Sequence, residues 1–446
     1  MNTGDIFDGL KRDVPAVTGV GYGVKFRNGK RTGERGITVF VREKKPKYKL
    51  KPGEVIPPKI EGEWTDVQRG DFRALPTMLM PTLRPLAAPL TRHVWTTGAD
   101  RKLCYRAAVA GVSLGHPSVT AGTIGGWVFV GSKRYILSNN HVMAACNTAQ
   151  LGDAIWQPGA YDAGGPDEAV ATLAAFHPIN FAGGENSIDC AIAEEGTLYP
   201  DEAKYTPIVA DLTSKLRYIT SPGLGMPTTK SGRTSGITEG PVDIVNLTCD
   251  VSYGQYGVAR YINQFGMAVD NYMLGGDSGS IIYQKPEDGE PNTAIGLGFA
   301  GTSDGWGIAN PISLVFAEFG LSLAVPIRVS GVVTLTETPT QGAVVLFYNE
   351  TTGALYSAVT NELGHYSITV GMVGDSILVS AHLVAGLSVY EQSKALTIWN
   401  EEGETLDFAV SAYDAIANGQ TVNFRFAPID WLLSDLNLEQ YLSVWQ

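Results

Sequence analysis

Cysteine is scarce in this chain, and long apolar runs are missing altogether. The four cysteines, Cys104, Cys146, Cys190 and Cys249, stand far apart with no CxxC pair. That spacing encodes neither a zinc site nor a disulfide framework, and buried free thiols are expected. No uncharged apolar stretch reaches the length of a membrane-spanning helix, so no membrane partner is expected. The opening MNTGDIFDGLKRDV places acids where a secretory leader would be apolar, which makes a cytoplasmic location the default expectation. Charge is sparse as well: 17% of residues are charged against 44% hydrophobic, with 52 glycines among 446 residues. This balance excludes a disordered chain and suits a globular, strand-rich one of two to four domains.

The charge that is present is unevenly placed. Eleven Lys or Arg between Lys25 and Lys51 face only Glu34 and Glu43, within a chain of net charge −12. A basic patch can attract nucleic acid or acidic partners. No aromatic stacking platform or DNA-binding motif accompanies it, so the segment reads as a solvated hairpin and loop, and a nucleic-acid partner is not expected. A phosphate loop ending at Lys30 is excluded too, because the glycine spacing is one residue too long and Arg31 replaces the required Ser or Thr. No cofactor or metal is expected.

What the chain does contain is a turn built for chemistry. In GGDSGS, at 275–280, glycines flank Ser278, so the backbone can bend sharply and the amides of Gly276 and Ser278 can point to one place. A tight turn with no chemistry has the same composition, so the partners decide. The run YILSNNHV ends an apolar strand on two asparagines and His141, which suits a general base. The run SIDCAIA carries Asp189 inside apolar sequence, where an unpaired carboxylate costs several kcal/mol and an imidazole N–H is a fitting partner. Asp153, Asp162 and Asp167 lie in loop-like sequence instead. His93, His116, His177, His365 and His382 are weaker candidates for the base. The order His141, Asp189, Ser278 is one of the three common orders of a Ser-His-Asp constellation.

These segments resemble the three catalytic motifs of trypsin-like serine proteases. Together with GDAIWQPGAYDAGG and KSGRTSGITEG, they resemble most closely a bacterial group related to the plant narrow-leaf-type serine proteases. The resemblance covers roughly residues 105 to 320. It implies a chymotrypsin-like double β-barrel, a protein or peptide substrate and a triad of His141, Asp189 and Ser278, with the Gly276 and Ser278 amides as oxyanion hole. It also implies a substrate pocket at Tyr272, Phe299, Ala300 and Gly301. Tyr272 stands where an acid would select Lys or Arg, so an apolar or small side chain is expected before the scissile bond. Secreted relatives often bridge the loop around the histidine, which leaves a disulfide at Cys146 as the alternative to free thiols. In many relatives the acid matching Asp277 pairs with a freed N-terminal amine. No such junction is visible here, so either Asp277 has another cationic partner or activation uses a different switch.

Around this core the expected organisation is mainly β. Residues 1–75 read as a small N-terminal α/β or β domain, with strands joined by the Asn-Gly turn at 28–29. Residues 76–104 form a proline-rich linker too apolar to be freely solvated, which lies along a groove or occupies the protease cleft as a pro-segment. The protease domain spans 105–325. Residues 326–429 carry short, turn-punctuated strands that argue for a β-sandwich, and GAVVLFYNETTGALYSAVTNELGHYSI resembles carboxypeptidase-regulatory-like, transthyretin-type domains. Apolar residues near helical spacing at 430–446 predict a short amphipathic helix packed on a neighbour, or a homo-oligomer contact. The expected function is a serine endopeptidase whose flanking domains select substrates or partners. The alternative is a latent or non-hydrolytic scaffold whose β-sandwich does the binding.

Overall fold

The computed structural model describes residues 2–74, 91–195, 205–285, 293–323 and 328–397, short interruptions inside those ranges apart, together with strand residues between 404 and 410. It divides into two compact units, Met1–Val325 and Pro326–Gln446. As expected, the chain is mainly β. No helix among the described residues is long and apolar enough to cross a membrane.

In the first unit an antiparallel five-stranded sheet runs in the order Ala154–Trp156, Ala169–Phe176, Ala191–Glu195, Lys133–Ser138, Gly126–Val130. Its strands read as apolar runs because both faces are covered; Tyr135, Ile136 and Leu137 are consecutive and all buried. They share one core with Val142, Leu297 and Val315. A second, 14-stranded sheet includes the hairpin Pro227–Gly232 and Gly236–Pro241, then Ile281–Gln284, Thr293–Gly301, Gly307–Pro311, Val258–Met267 and Ile244–Ser252. The helix Ile312–Phe319 follows and stops at Gly320, whose φ of +62° is the left-handed conformation that ends helices.

The N-terminal strands continue this second sheet. Val17–Arg27 and Lys30–Val41 pair as a hairpin across a two-residue turn, with Gly29 at φ +74°. The first of them also pairs with Ile244–Ser252, in the register Gly19 with Cys249 and Gly23 with Ile244. The glycines of GVGYGV permit this approach: a Cβ on Gly21 would meet Ile244 Cγ2 at 2.6 Å and one on Gly23 the Asp243 carbonyl at 2.5 Å. The helix Thr3–Asp13, capped by Asn2, buries Ile6 and Phe7 on the same strands. Further on, Arg73–Ala74 is a two-residue strand that pairs antiparallel with Gly301 and Ala300.

The second unit has two largely antiparallel sheets. One contains Arg328–Leu335 and His365–Thr369; the other runs Ala354–Val359, Val344–Asn349, Ser376–Ala385, Ser388–Thr397. Alternate residues of each meet in one core, with Val329, Val333 and Tyr366 against Val345, Phe347, Ile377 and Val379. The helix expected at 430–446 lies outside the described residues, as do residues 75–90 of the proline-rich stretch.

Candidate active site

Strand Lys133–Ser138 delivers His141 at the first turn of the short helix Asn140–Met143. His141 Nδ1 lies 2.5 Å from Asp189 Oδ2, and the His141 amide donates to Asp189 Oδ1 at 3.2 Å. His141 is 2% exposed and Asp189 fully buried. A buried carboxylate must be satisfied from several sides. Tyr253 donates its hydroxyl to Asp189 Oδ2 at 2.7 Å, the Asp189 amide donates to Asn310 Oδ1, and Asn139 Nδ2 donates to the Asp189 carbonyl. Asn310 is held in turn by Gln264 Oε1 at 2.6 Å. Burial first, and then the neighbouring Asp189 charge, push the Tyr253 phenol well above its ordinary value, so it stays a donor.

Ser278 sits on the turn between Leu274 and strand Ile281–Gln284. Gly276 and Gly279 have φ of +99° and +95°, which only glycine adopts without strain. The turn is seated on the sheet end that leads to His141: Thr123 N donates to the Ser278 carbonyl, Thr123 Oγ1 to the Gly276 carbonyl, and Ser138 Oγ to the Thr123 carbonyl. Thr234 Oγ1 holds the Gly275 carbonyl at 2.7 Å. Ser278 Oγ donates to the Phe299 carbonyl at 3.2 Å, while His141 Nε2 is buried with no hydrogen-bond partner among the described residues.

Beneath the turn lies a charge pair that sequence reasoning missed. Asp277 faces Lys230 Nζ at 3.5 Å, and both side chains are fully buried. Asp277 also accepts from the amides of Thr234, Ser235 and Leu274 and from Ser235 Oγ. Lys230 donates to Ser235 Oγ and to the Gly236 carbonyl. Burial pulls the lysine below its ordinary value, and the Asp277 charge opposes that shift. Lys230 is therefore the cationic partner that the sequence left open. The signal available was a single lysine inside the uncharged run PTTKSG. Next to it, Arg233 makes a buried two-pronged contact with Asp162, at 2.6 and 2.5 Å, and its Nη1 donates to Thr234 Oγ1.

Of the other acids weighed from sequence, Asp153 accepts from His116 and Asp162 from Arg233. His177 pairs with Glu318. Tyr272 is buried, with its hydroxyl bonded to Thr228 Oγ1 at 2.7 Å, and a Cβ on Gly307 would meet its ring at 2.8 Å. Phe299 and Ala300 are buried, and the Phe299 ring packs on Tyr261 at 4.7 Å. No disulfide joins the four cysteines, and all four are buried. Among the described residues no group of side chains could hold a metal ion.

No family model and no curated protein matches the sequence. Solved structures that it resembles include Thermobifida fusca Protease A, at 20% identity over 48% of this chain and 97% of that one, with a TM-score of 0.35. A glutamic acid specific serine protease matches at 18% identity over 48% and 98%, with a TM-score of 0.34. Cellulomonas bogoriensis chymotrypsin matches at 17% over 48% and 96%, with a TM-score of 0.33.

Proposed function

We propose that the chain is a serine endopeptidase acting through His141, Asp189 and Ser278. The observation that carries this reading is the 2.5 Å contact of His141 Nδ1 with a fully buried Asp189, which leaves the other ring nitrogen of His141 buried and unpartnered among the described residues. A purely structural histidine would satisfy both nitrogens. In the mechanism, Ser278 Oγ turns from the Phe299 carbonyl to His141 Nε2, gives up its proton there and attacks the carbonyl carbon of the peptide bond. His141 then passes the proton to the leaving amine, and the acyl-enzyme is cleared by a water activated in the same way. Asp189 fixes the imidazole tautomer and stabilises its protonated form. The Gly276 and Ser278 amides take the oxyanion, each worth roughly 10²–10³ in rate. With the Gly275 carbonyl held on Thr234, the peptide between Gly275 and Gly276 is fixed in one orientation.

Tyr272, Phe299, Ala300 and Gly301 carry no charge, which favours an apolar or small residue before the scissile bond. The finer kinship, to bacterial relatives of the plant narrow-leaf-type proteases with an appended transthyretin-type domain, rests on the sequence motifs. Partner selection by the flanking domains is part of the same reading. A fluorophosphonate probe tests it: intact mass should rise by one adduct in the natural chain and stay unchanged in Ser278→Ala and His141→Ala. A folded natural chain that never labels would refute it.

A further inference from the structure

Strand Thr293–Gly301 is bonded on one side to Gly307–Pro311, through Gly301 with Gly307 and Ala300 with Ile308. Its other side at the same residues is taken by Arg73–Ala74, in the register Gly301 with Arg73 and Ala300 with Ala74. The pairing is antiparallel, so the segment advances towards Phe299, whose carbonyl accepts the Ser278 hydroxyl. An exposed strand edge beside a nucleophile is where an extended peptide adds its main chain. This edge is already filled from within the chain.

The filling is specific. Phe72 is 2% exposed, packs edge-on against Phe40 at 5.1 Å, and shares a core cluster with Phe299, Ala300 and Tyr253. The Phe72 carbonyl accepts from Ser252 N, and Asp71 Oδ1 accepts from Ser303 N. Arg73 is bracketed by Gly301 and by Ser252, yet its side chain is 63% exposed. The anchor is thus Phe72; of the two residues that cover the edge, Arg73 is exposed and Ala74 is only partly buried against the same cluster. Such a short strand can lift without unfolding the sheet. The serine that would need this edge clear is meanwhile bonded to Phe299 and not to His141.

We propose that Arg73–Ala74 is an internal occupant of the peptide-binding edge at Ala300 and Gly301, which holds the protease latent until an extended peptide displaces it. The inference rests on the protease reading above. Displacement exchanges one set of main-chain hydrogen bonds for another and breaks no covalent bond.

The test follows fluorophosphonate labelling of the full-length chain by intact mass over time, in the natural protein, in Arg73→Pro and in Asp71→Ala. Proline removes the amide of a residue paired on both sides. Asp71→Ala removes the bond to Ser303 N and the ion pair with Arg73 at 2.8 Å, leaves every main-chain amide in place, and covers the case in which the proline variant does not fold. If the edge is clear in about a tenth of molecules, release raises the labelling rate about tenfold, since apparent reactivity scales with the competent fraction. Arg73→Pro is expected to label fastest, Asp71→Ala next and the natural chain slowest. Equal rates in all three overturn the internal occupant and leave the protease reading standing. Folded proteins that never label overturn the protease reading, and the occupant with it.

Discussion

Lys230 and Asp277 face each other at 3.5 Å, both without solvent exposure, directly beneath the turn that carries Ser278. Taking two charges out of water is costly, and such a pair is retained where it fixes one arrangement over others. Here it ties strand Pro227–Gly232 to the turn that carries Ser278. Lys230→Met leaves Asp277 buried with hydrogen bonds but no counter-charge. The expected result is a fall in kcat of about 10²-fold, comparable to the loss of one oxyanion donor, with KM little changed. Steady-state kinetics on a peptide substrate separate the two. The same pair has an alkaline signature. Lys230 is held below its ordinary 10.5, so between its native value and 10.5 the unfolded chain binds more protons and this group makes stability rise with pH. The difference in urea stability between the natural chain and Lys230→Met should move in favour of the natural chain as pH rises through that window.

Tyr253 donates to the Asp189 oxygen that also meets His141. Tyr253→Phe keeps the ring, which packs edge-on to His141 at 5.8 Å, and removes one donor to a buried carboxylate. Hydrogen bonds to charged groups are worth about 1.5–3 kcal/mol. A loss of roughly 10- to 100-fold in kcat/KM is expected, mostly in kcat. An unchanged kcat would exclude Tyr253 from positioning the acid.

Arg233 is an anchor of a different kind. Its guanidinium grips Asp162 with two bonds, both side chains are nearly buried, and Ser113 Oγ shares the carboxylate at 2.5 Å. Arg233→Ala strands that carboxylate, and the expected cost is about 3–5 kcal/mol of folding stability. Denaturant unfolding measures it. Arg233→Lys restores the charge without the fork and should recover only part.

The cysteines give a simple chemical check. Burial raises the thiols of Cys146, Cys190 and Cys249 above their ordinary range, with the Asp189 charge adding to the first two. The thiolate is the reactive form. Iodoacetamide at mildly alkaline pH should therefore leave these three unmodified in the native protein and alkylate all four cysteines after denaturation, read by mass. A native chain that loses two thiols to a disulfide would contradict the unbridged, buried state.

Much of the candidate site was readable because its pieces are local. A glycine-framed serine, a histidine at a strand end and an acid inside an apolar run each declare themselves within a few residues. Asp189, singled out by those apolar flanks, is the carboxylate that bonds His141. The mainly β character was legible in the composition and in the short, turn-bounded runs. Lys230 was not, because a lone lysine among Thr, Ser and Gly reads as a solvated edge until register puts Asp277 above it. Tyr253, just past the end of strand Ile244–Ser252, and Asn310, on strand Gly307–Pro311, reach Asp189 through strand pairings that no local pattern encodes. Nor could the sequence place Arg73 beside Gly301, since contacts of that separation depend on how the whole sheet closes.

The glycine-rich strand Val17–Arg27 has a consequence for how the protein is made. One of its neighbours is the hairpin partner that follows at once; the other, through Gly19 and Cys249, is synthesised more than half the chain later. A nascent chain therefore holds an apolar hairpin with one unsatisfied edge throughout the translation of everything up to His141 and Asp189. Contacts of this span slow folding, and open strand edges invite pairing with other chains. These strands leave the ribosome long before their sheet can be completed, and agents that shield strand edges during synthesis should raise the yield of native protein more than any change made near the serine.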